Sequence, residues 1–187
     1  MSLKILNITK FCRIFMNTII TSSRPKMEKV IQVDSNGRPM LFLDIEVLVS
    51  KSVASLKKGN IISVPTDTIY GIAGLAQDSN AINKIYNIKR RDLSKPIAIS
   101  VADVQDIFRW SKVTVPKSLL DKLLPGAVTV VFERSDELNA DLNPGTSLVG
   151  IRVPDHRLIR EISRGCEGPI ALTSANISAA QSTISVE

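Results

Sequence analysis

Short β-branched runs alternate with helical patterns along most of the chain, which predicts an α/β fold. The sheet is expected to be twisted and mixed or mostly parallel, flanked by helices, with a concave ligand crevice. Two further observations agree. Hydrophobic content of 44% and charged content of 22% are ordinary for a soluble globular protein. A length of 187 residues suits one domain with a sizeable core plus a tail.

Residues 44–58 carry Ile45, Leu48, Val49, Val53 and Leu56 at helical spacing. Gly59 is placed to end that helix, and Lys57 and Lys58 in its last turn suit the dipole. Ile61–Val64 reads as a short buried strand, which Pro65 ends because it has no N–H to donate. Thr66, Asp67 and Thr68 then stand at the strand's carboxyl end, where ligands bind in open α/β sheets. A plain turn explains the same residue types. Asp78-Ser-Asn80 is an N-cap cluster for a helix that turns Ile82, Ile85 and Ile88 inward and ends in Lys89-Arg-Arg91.

Pro96 introduces a strand over 97–101, and Asp103 caps a short helix bearing Val104, Ile107 and Phe108. Pro116 precedes another helix, which Pro125-Gly126 stops. Residues 127–132 form a valine-rich strand, and 139–146 a loop with an Asn-Pro-Gly turn. Residues 148–153 are a strand, Pro154-Asp155 caps a helix through Arg164, and 170–173 is a last strand.

The formal net charge of +6 is concentrated at one end. Lys4, Lys10, Arg13, Arg24 and Lys26 precede the first acid, Glu28; without these five the 24 basic residues exceed the 18 acids by one. The basicity therefore belongs to a leader, residues 1–40, with the domain expected over 41–187. Acid-free and rich in Ser, Thr and Asn, the leader has the composition of a mitochondrial transit peptide. No apolar run approaches a membrane span. The expected location is the cytoplasm, the mitochondrion, or both, with Met27 as a second start. Cys12 and Cys166 form no metal spacing and suit a reducing compartment.

The chain has no P-loop, GxGxxG, HExxH or GxSxG motif. A zinc site is not expected with His156 the single histidine, and that residue reads as a cap or surface group. Two pairs at spacing two remain. Lys89 and Arg91 suit either the dipole of a helix end or an anion. Ser174 and Asn176 follow a strand and form either a polar turn or two tips facing one crevice.

Pro65-Thr-Asp-Thr-Ile-Tyr-Gly71, Ile88-Lys-Arg-Arg91 with Lys95-Pro96, Leu124-Pro-Gly126, Val149-Gly-Ile-Arg-Val-Pro-Asp155 and Leu172-Thr-Ser-Ala-Asn176 occur in this order. Together they resemble the YrdC-like family of threonylcarbamoyl-adenylate synthases over about residues 45–187, and Ser135–Asp155 resembles its animal members in particular. The resemblance implies a nucleotidyltransferase that joins L-threonine, bicarbonate (or CO2) and ATP into threonylcarbamoyl-AMP and pyrophosphate. A separate complex would pass the threonylcarbamoyl group to tRNA. It places Lys89 and Arg91 as catalytic residues on ATP with Ser174 and Asn176, and Thr66 and Arg152 on threonine. ATP is a substrate, Mg2+ its expected companion, and no protein metal site is assigned. Asp67 is left open between a magnesium contact and an Asx-type turn.

The family usually has glycine where this chain has Arg90, which should alter the local turn while leaving both cations in place. The chemistry suits the inventory: the attacking carbamate oxygen is already anionic, so positioned cations matter more than a base. Both side chains are expected to face solvent without ligand, so alanine variants should fold normally. The rival reading is an RNA-binding module in the same basic crevice, disfavoured by an aromatic content of 4%. An inactive relative is the other alternative, because the family's domain normally continues past the Ser-Ala-Asn motif into a further helix and strand.

Overall fold

The computed structural model describes residues 45–90 and 95–176. The expected leader, Arg91 and the residues after Asn176 lie outside them. Helix α1 (Ile45–Lys57) leads to strand β1 (Ile62–Val64), β2 (Gly71–Leu75) and helix α2 (Ser79–Lys89). Strand β3 (Ala98–Ser100), a 3-10 turn (Val104–Asp106), α3 (Ile107–Trp110) and β4 (Ser111–Lys112) follow. The rest is α4 (Lys117–Leu123), β5 (Val130–Arg134), β6 (Leu148–Arg152), α5 (Arg157–Cys166) and β7 (Ile170–Ser174).

The seven strands form one sheet in the order β1-β2-β7-β3-β6-β5-β4. It is mixed, as expected, but its parallel weighting is corrected: β3 and β6 run parallel, and the other neighbours are antiparallel. The reason lies in the connections, because β1 returns as β2 through a short loop and β5 returns as β6, neither with the crossover helix a parallel pair needs.

Side-chain alternation splits the core in two. Ile62, Val64, Ala73, Ile170 and Leu172 face α1 and α5, where Leu56, Ile159 and Ile162 cover them. Ile72, Ile99, Ile151 and Ala171 face the other way, under Ile82 and Ile85 of α2. α1 and α5 meet at Gly165, where a Cβ would lie 2.8 Å from Val53 Cγ2. Helix α1 ends at Gly59 with φ 71°, as its spacing requires. Asp78 caps α2 by accepting from the N–H groups of Asn80 and Ala81 at 2.9 and 3.3 Å.

Several expectations need correction. The sequence pattern assigns no element to β2, which carries two glycines, yet it is an interior strand between β1 and β7. A Cβ at Gly71 would lie 2.6 Å from Leu172 Cδ1, so close packing, and no turn, requires that glycine. β5 begins at Val130 rather than Ala127 because its partner β6 ends at Arg152, so earlier residues have no ladder to join. It also runs on to Arg134, whose N–H donates to Ser147 O at 2.8 Å. β4 is a two-residue strand with no pattern of its own to read. Phe108 is exposed, because Ile107 and Trp110 take the buried face of α3. The cap position of α5 is His156, with no side-chain cap bond, one residue past Pro154-Asp155.

The loop before β6 is pinned. Asn143 accepts from the Ile97 N–H at 2.7 Å and donates to its carbonyl at 2.9 Å, completing the start of β3 from a buried side chain.

Candidate active site

Residues 65–71 link two groups of polar side chains. At one end of the segment, Gly71 pairs with Ser174 across the sheet, and Ala175 N–H donates to Tyr70 O at 2.9 Å. Between Pro65 and Tyr70 the loop is self-braced. The Thr66 hydroxyl donates to Ile69 O at 2.7 Å and accepts from the Thr68 N–H at 3.2 Å. Such a local bond sets a turn. Thr66 therefore shapes the loop, and Thr68 is the hydroxyl nearer a cation.

The first group gathers where α2 and β7 both end. Lys89 Nζ donates to the carbonyl oxygens of Ser174 and Asn176, the latter at 2.7 Å, with Ser174 Oγ at 3.4 Å. The side chain is only 2% exposed, which corrects the expectation of a solvent-facing lysine. The physical cause is the carbonyl-rich turn after β7: an ammonium is a compact donor of hydrogen bonds in three directions and fills it. Ser174 Oγ donates in turn to Asn176 Oδ1. Ser174 and Asn176 thus lie side by side, as their spacing suggests. Arg90 takes the left-handed conformation (φ 46°, ψ 42°) just after α2. This is the conformation glycine adopts most easily, so an arginine here carries backbone strain.

The second group is built on β6. Arg152, its last residue, donates from Nη2 to Asp67 Oδ1 at 2.7 Å. Thr68 Oγ1 lies 3.4 and 3.5 Å from Nη1 and Nη2. The backbone N–H of Asp155 donates to the other oxygen of Asp67 at 3.2 Å. Asp67 is thereby occupied by an ion pair and a backbone donor, and the Asx-type turn left open for it is not how its side chain is used. Arg152 Nε is buried with no partner among the described residues, and so is the hydroxyl of Ser100. Ser100 and Arg152 are register partners on parallel strands, so the two unmet groups project from the same side of the sheet. Ala98 and Gly150, two residues earlier on the same strands, are small, and a Cβ at Gly150 would lie 3.1 Å from Thr129 Cγ2.

The structure brings Lys89, Ser174 and Asn176 together, and Arg152, Asp67 and Thr68 together; Thr66 braces the loop between them. Arg91 lies outside the described residues. Sequence reasoning placed Thr68 at the carboxyl end of β1 but gave it no role, and it missed Ser100. Ser100 carried a usable signal, since it is a polar residue at the carboxyl end of a strand. Among the described residues no group of three or more His, Cys, Asp or Glu side chains is placed to hold a metal ion. None of their helices is long and apolar enough to cross a membrane.

Comparison with known proteins supplies a family. Threonylcarbamoyl-AMP synthase of Homo sapiens is 50% identical over 136 residues, covering 73% of this chain and 49% of the human protein. The chain thus spans about half the length of the curated relatives it matches. A putative threonylcarbamoyl-AMP synthase of Methanocaldococcus jannaschii is 34% identical over 165 residues, covering 87% of this chain and 73% of its own. The crystal structure of P. abyssi Sua5 complexed with L-threonine superposes with a TM-score of 0.69 at 27% identity, covering 76% of this chain and 42% of that one. The family model described as Telomere recombination matches residues 54–187, and the chain belongs to that family, Sua5/YciO/YrdC.

Proposed function

We propose that this chain binds L-threonine and ATP and condenses them with bicarbonate or CO2 into threonylcarbamoyl-AMP, releasing pyrophosphate. The observation that carries the reading is the placement of two cations beside one short loop, one bonded to the loop itself and one under the strand end with which the loop pairs. Arg152 faces Asp67 and Thr68, while Lys89 lies under the Ser174–Asn176 turn. Two anionic partners need two such holders.

In the first step the threonine amine takes up CO2, giving a carbamate and a proton. A carbamate oxygen then attacks the α-phosphorus of ATP; the new O–P bond forms as the bond to the β-phosphate oxygen breaks, and pyrophosphate leaves. Arg152 holds the threonine carboxylate through a planar fork, with Thr66 keeping the loop in shape beside it. Hydrogen bonds to such charged groups contribute about 1.5–3 kcal/mol each. Lys89 acts through its fixed charge and by holding the Ser174 and Asn176 side chains where phosphate or ribose oxygens arrive. Arg91, two residues on in the chain, is assigned to the phosphates with it.

Mg2+ enters this reading with the ATP phosphates rather than on a protein cage. Asp67 is engaged by Arg152 and by the backbone N–H of Asp155, so its oxygens are already used within the protein. The product would pass to a separate enzyme complex that modifies tRNA. Import into mitochondria from Met1 and a cytoplasmic form from Met27 complete the proposal; a fluorescent reporter fused to residues 1–30 that stays uniformly cytosolic would contradict the mitochondrial part.

The direct test is pyrophosphate release by this chain. Release should require L-threonine, ATP and bicarbonate together. Release that ignores threonine or bicarbonate would refute the proposal.

A further inference from the structure

We infer that Asp67 is a positioning residue for Arg152, and that by fixing the guanidinium it sets the affinity for the substrate carboxylate. The inference rests on the reading above that Arg152 receives that carboxylate.

Asp67 is held at both oxygens, by Arg152 Nη2 at 2.7 Å and by the backbone N–H of Asp155 at 3.2 Å. Its side chain is 9% exposed and that of Arg152 is 18% exposed. A pair so buried seldom adds net stability, because desolvation offsets the attraction. Its effect on geometry is the more telling feature. Arg152 ends β6, and an arginine freed there would sample many rotamers, an entropy of about 2 kcal/mol. Asp67 selects one of them, and the Asp155 N–H fixes Asp67 in turn.

The grip is also incomplete, which separates a support from a plug. Asp67 takes a single short bond to the guanidinium, and the contacts to Thr68 Oγ1 are long, at 3.4 and 3.5 Å. Nε, on the opposite side of Arg152 from Nη1, has no partner among the described residues. A guanidinium carries five N–H donors, and only the bond to Asp67 is short, so a carboxylate that displaced the long Thr68 contacts would find donors on Nη1 and Nη2. Holding the fork in place before binding removes an ordering cost from binding itself. A plugging carboxylate would instead cover the fork, and its removal would tighten binding.

The experiment titrates L-threonine, and separately ATP, into wild type, Asp67→Asn, Asp67→Glu, Arg152→Lys and the Asp67→Asn/Arg152→Lys double variant. Circular dichroism accompanies each titration. Asp67→Asn should weaken L-threonine about tenfold or more while ATP affinity stays within about twofold. Asp67→Glu, which keeps the charge and shifts it by a methylene, should fall between wild type and Asp67→Asn. In the Arg152→Lys background, Asp67→Asn should add little, because the group it positions is gone. Wild-type or tighter L-threonine binding by Asp67→Asn overturns the inference. So does a parallel loss of ATP affinity, or a full further loss in the double variant. If Asp67→Asn does not fold, Asp67→Glu decides alone: unchanged L-threonine affinity overturns the inference. Wild type that fails to bind L-threonine at all removes the reading of Arg152 and this inference with it, an outcome distinct from the others.

Discussion

Lys89 and Arg152 are both cations at strand or helix ends, yet the protein uses them in opposite ways. Lys89 is 2% exposed and gives its hydrogen bonds to the chain's own carbonyls at Ser174 and Asn176. Arg152 is anchored by one carboxylate, and its buried Nε has no partner among the described residues. The first ties α2 to the end of β7 and serves the fold as well as the site. The second is held by one short bond and two long ones, and the long ones are those a ligand could displace. Charge and position alone do not separate the two roles; what separates them is where the donors point.

Variants at the two cations should therefore fail differently. The largest effect is expected for Lys89→Met, which leaves buried carbonyl oxygens without their donor. Unmet buried acceptors and lost charged hydrogen bonds together suggest a destabilisation of about 3 kcal/mol. For a domain of this size that lowers the melting temperature by about 6–12 °C. A melting temperature equal to wild type would show that Lys89 is not part of the fold and would erase the comparison. Next comes Gly71→Ala, at the junction of the two groups. Its Cβ would sit 2.6 Å from Leu172 Cδ1 and 3.2 Å from Thr173 O. Overpacking against backbone costs about 1–3 kcal/mol, and the damage should show in the β2–β7 pairing beside Lys89. Hydrogen exchange that slows or stays unchanged at residues 172–174 would contradict this.

Smaller changes sharpen the contrast. Arg90→Gly relieves the left-handed residue after α2 but loosens the unfolded chain, so a net gain of up to about 1 kcal/mol is expected. A thermal melt checks it, and L-threonine affinity should not move, because Arg90 belongs to the Lys89 end. Cys166, on α5 and away from both groups, gives the smallest effect. Burial pushes its thiol up from 9.0 to about 11, with Lys57 opposing weakly. A raised folded value favours the neutral thiol, so its contribution is present below pH 9 and lost as pH rises through 9 to about 11. Wild type should accordingly lose more stability between pH 8 and 10.5 than Cys166→Ser. Equal losses would mean that the burial of this thiol has no thermodynamic weight.

The sequence made most elements legible through short-range chemistry. Gly59 after α1, Asp78 before α2 and Pro116 before α4 act within a few residues, and all three stand where expected. β2 was hidden because Gly71 is required by a contact with Leu172, a residue about a hundred positions away that no local pattern reveals. The limits of β5 depend likewise on where β6 stops. In the site, the closeness of Ser174 and Asn176 was legible from their short spacing, although Asn176 stands in the bend after β7 rather than on the strand. The burial of Lys89 was not, since its acceptors come from the far end of the chain. Asp67 could not be placed from local chemistry for the same reason: its partner Arg152 is brought to it by the sheet.

The most direct test of the division between the two cations is L-threonine titration without ATP, below the melting transition, into wild type, Lys89→Met and Arg152→Lys. An ammonium cannot reproduce a planar fork, so Arg152→Lys should weaken binding about tenfold or more while its melting temperature stays near wild type. Lys89→Met should bind L-threonine within about threefold of wild type, since that residue touches the fold and the phosphate side rather than the amino acid. Arg152→Lys binding at full affinity, or Lys89→Met losing L-threonine as severely as Arg152→Lys, would contradict the assignment.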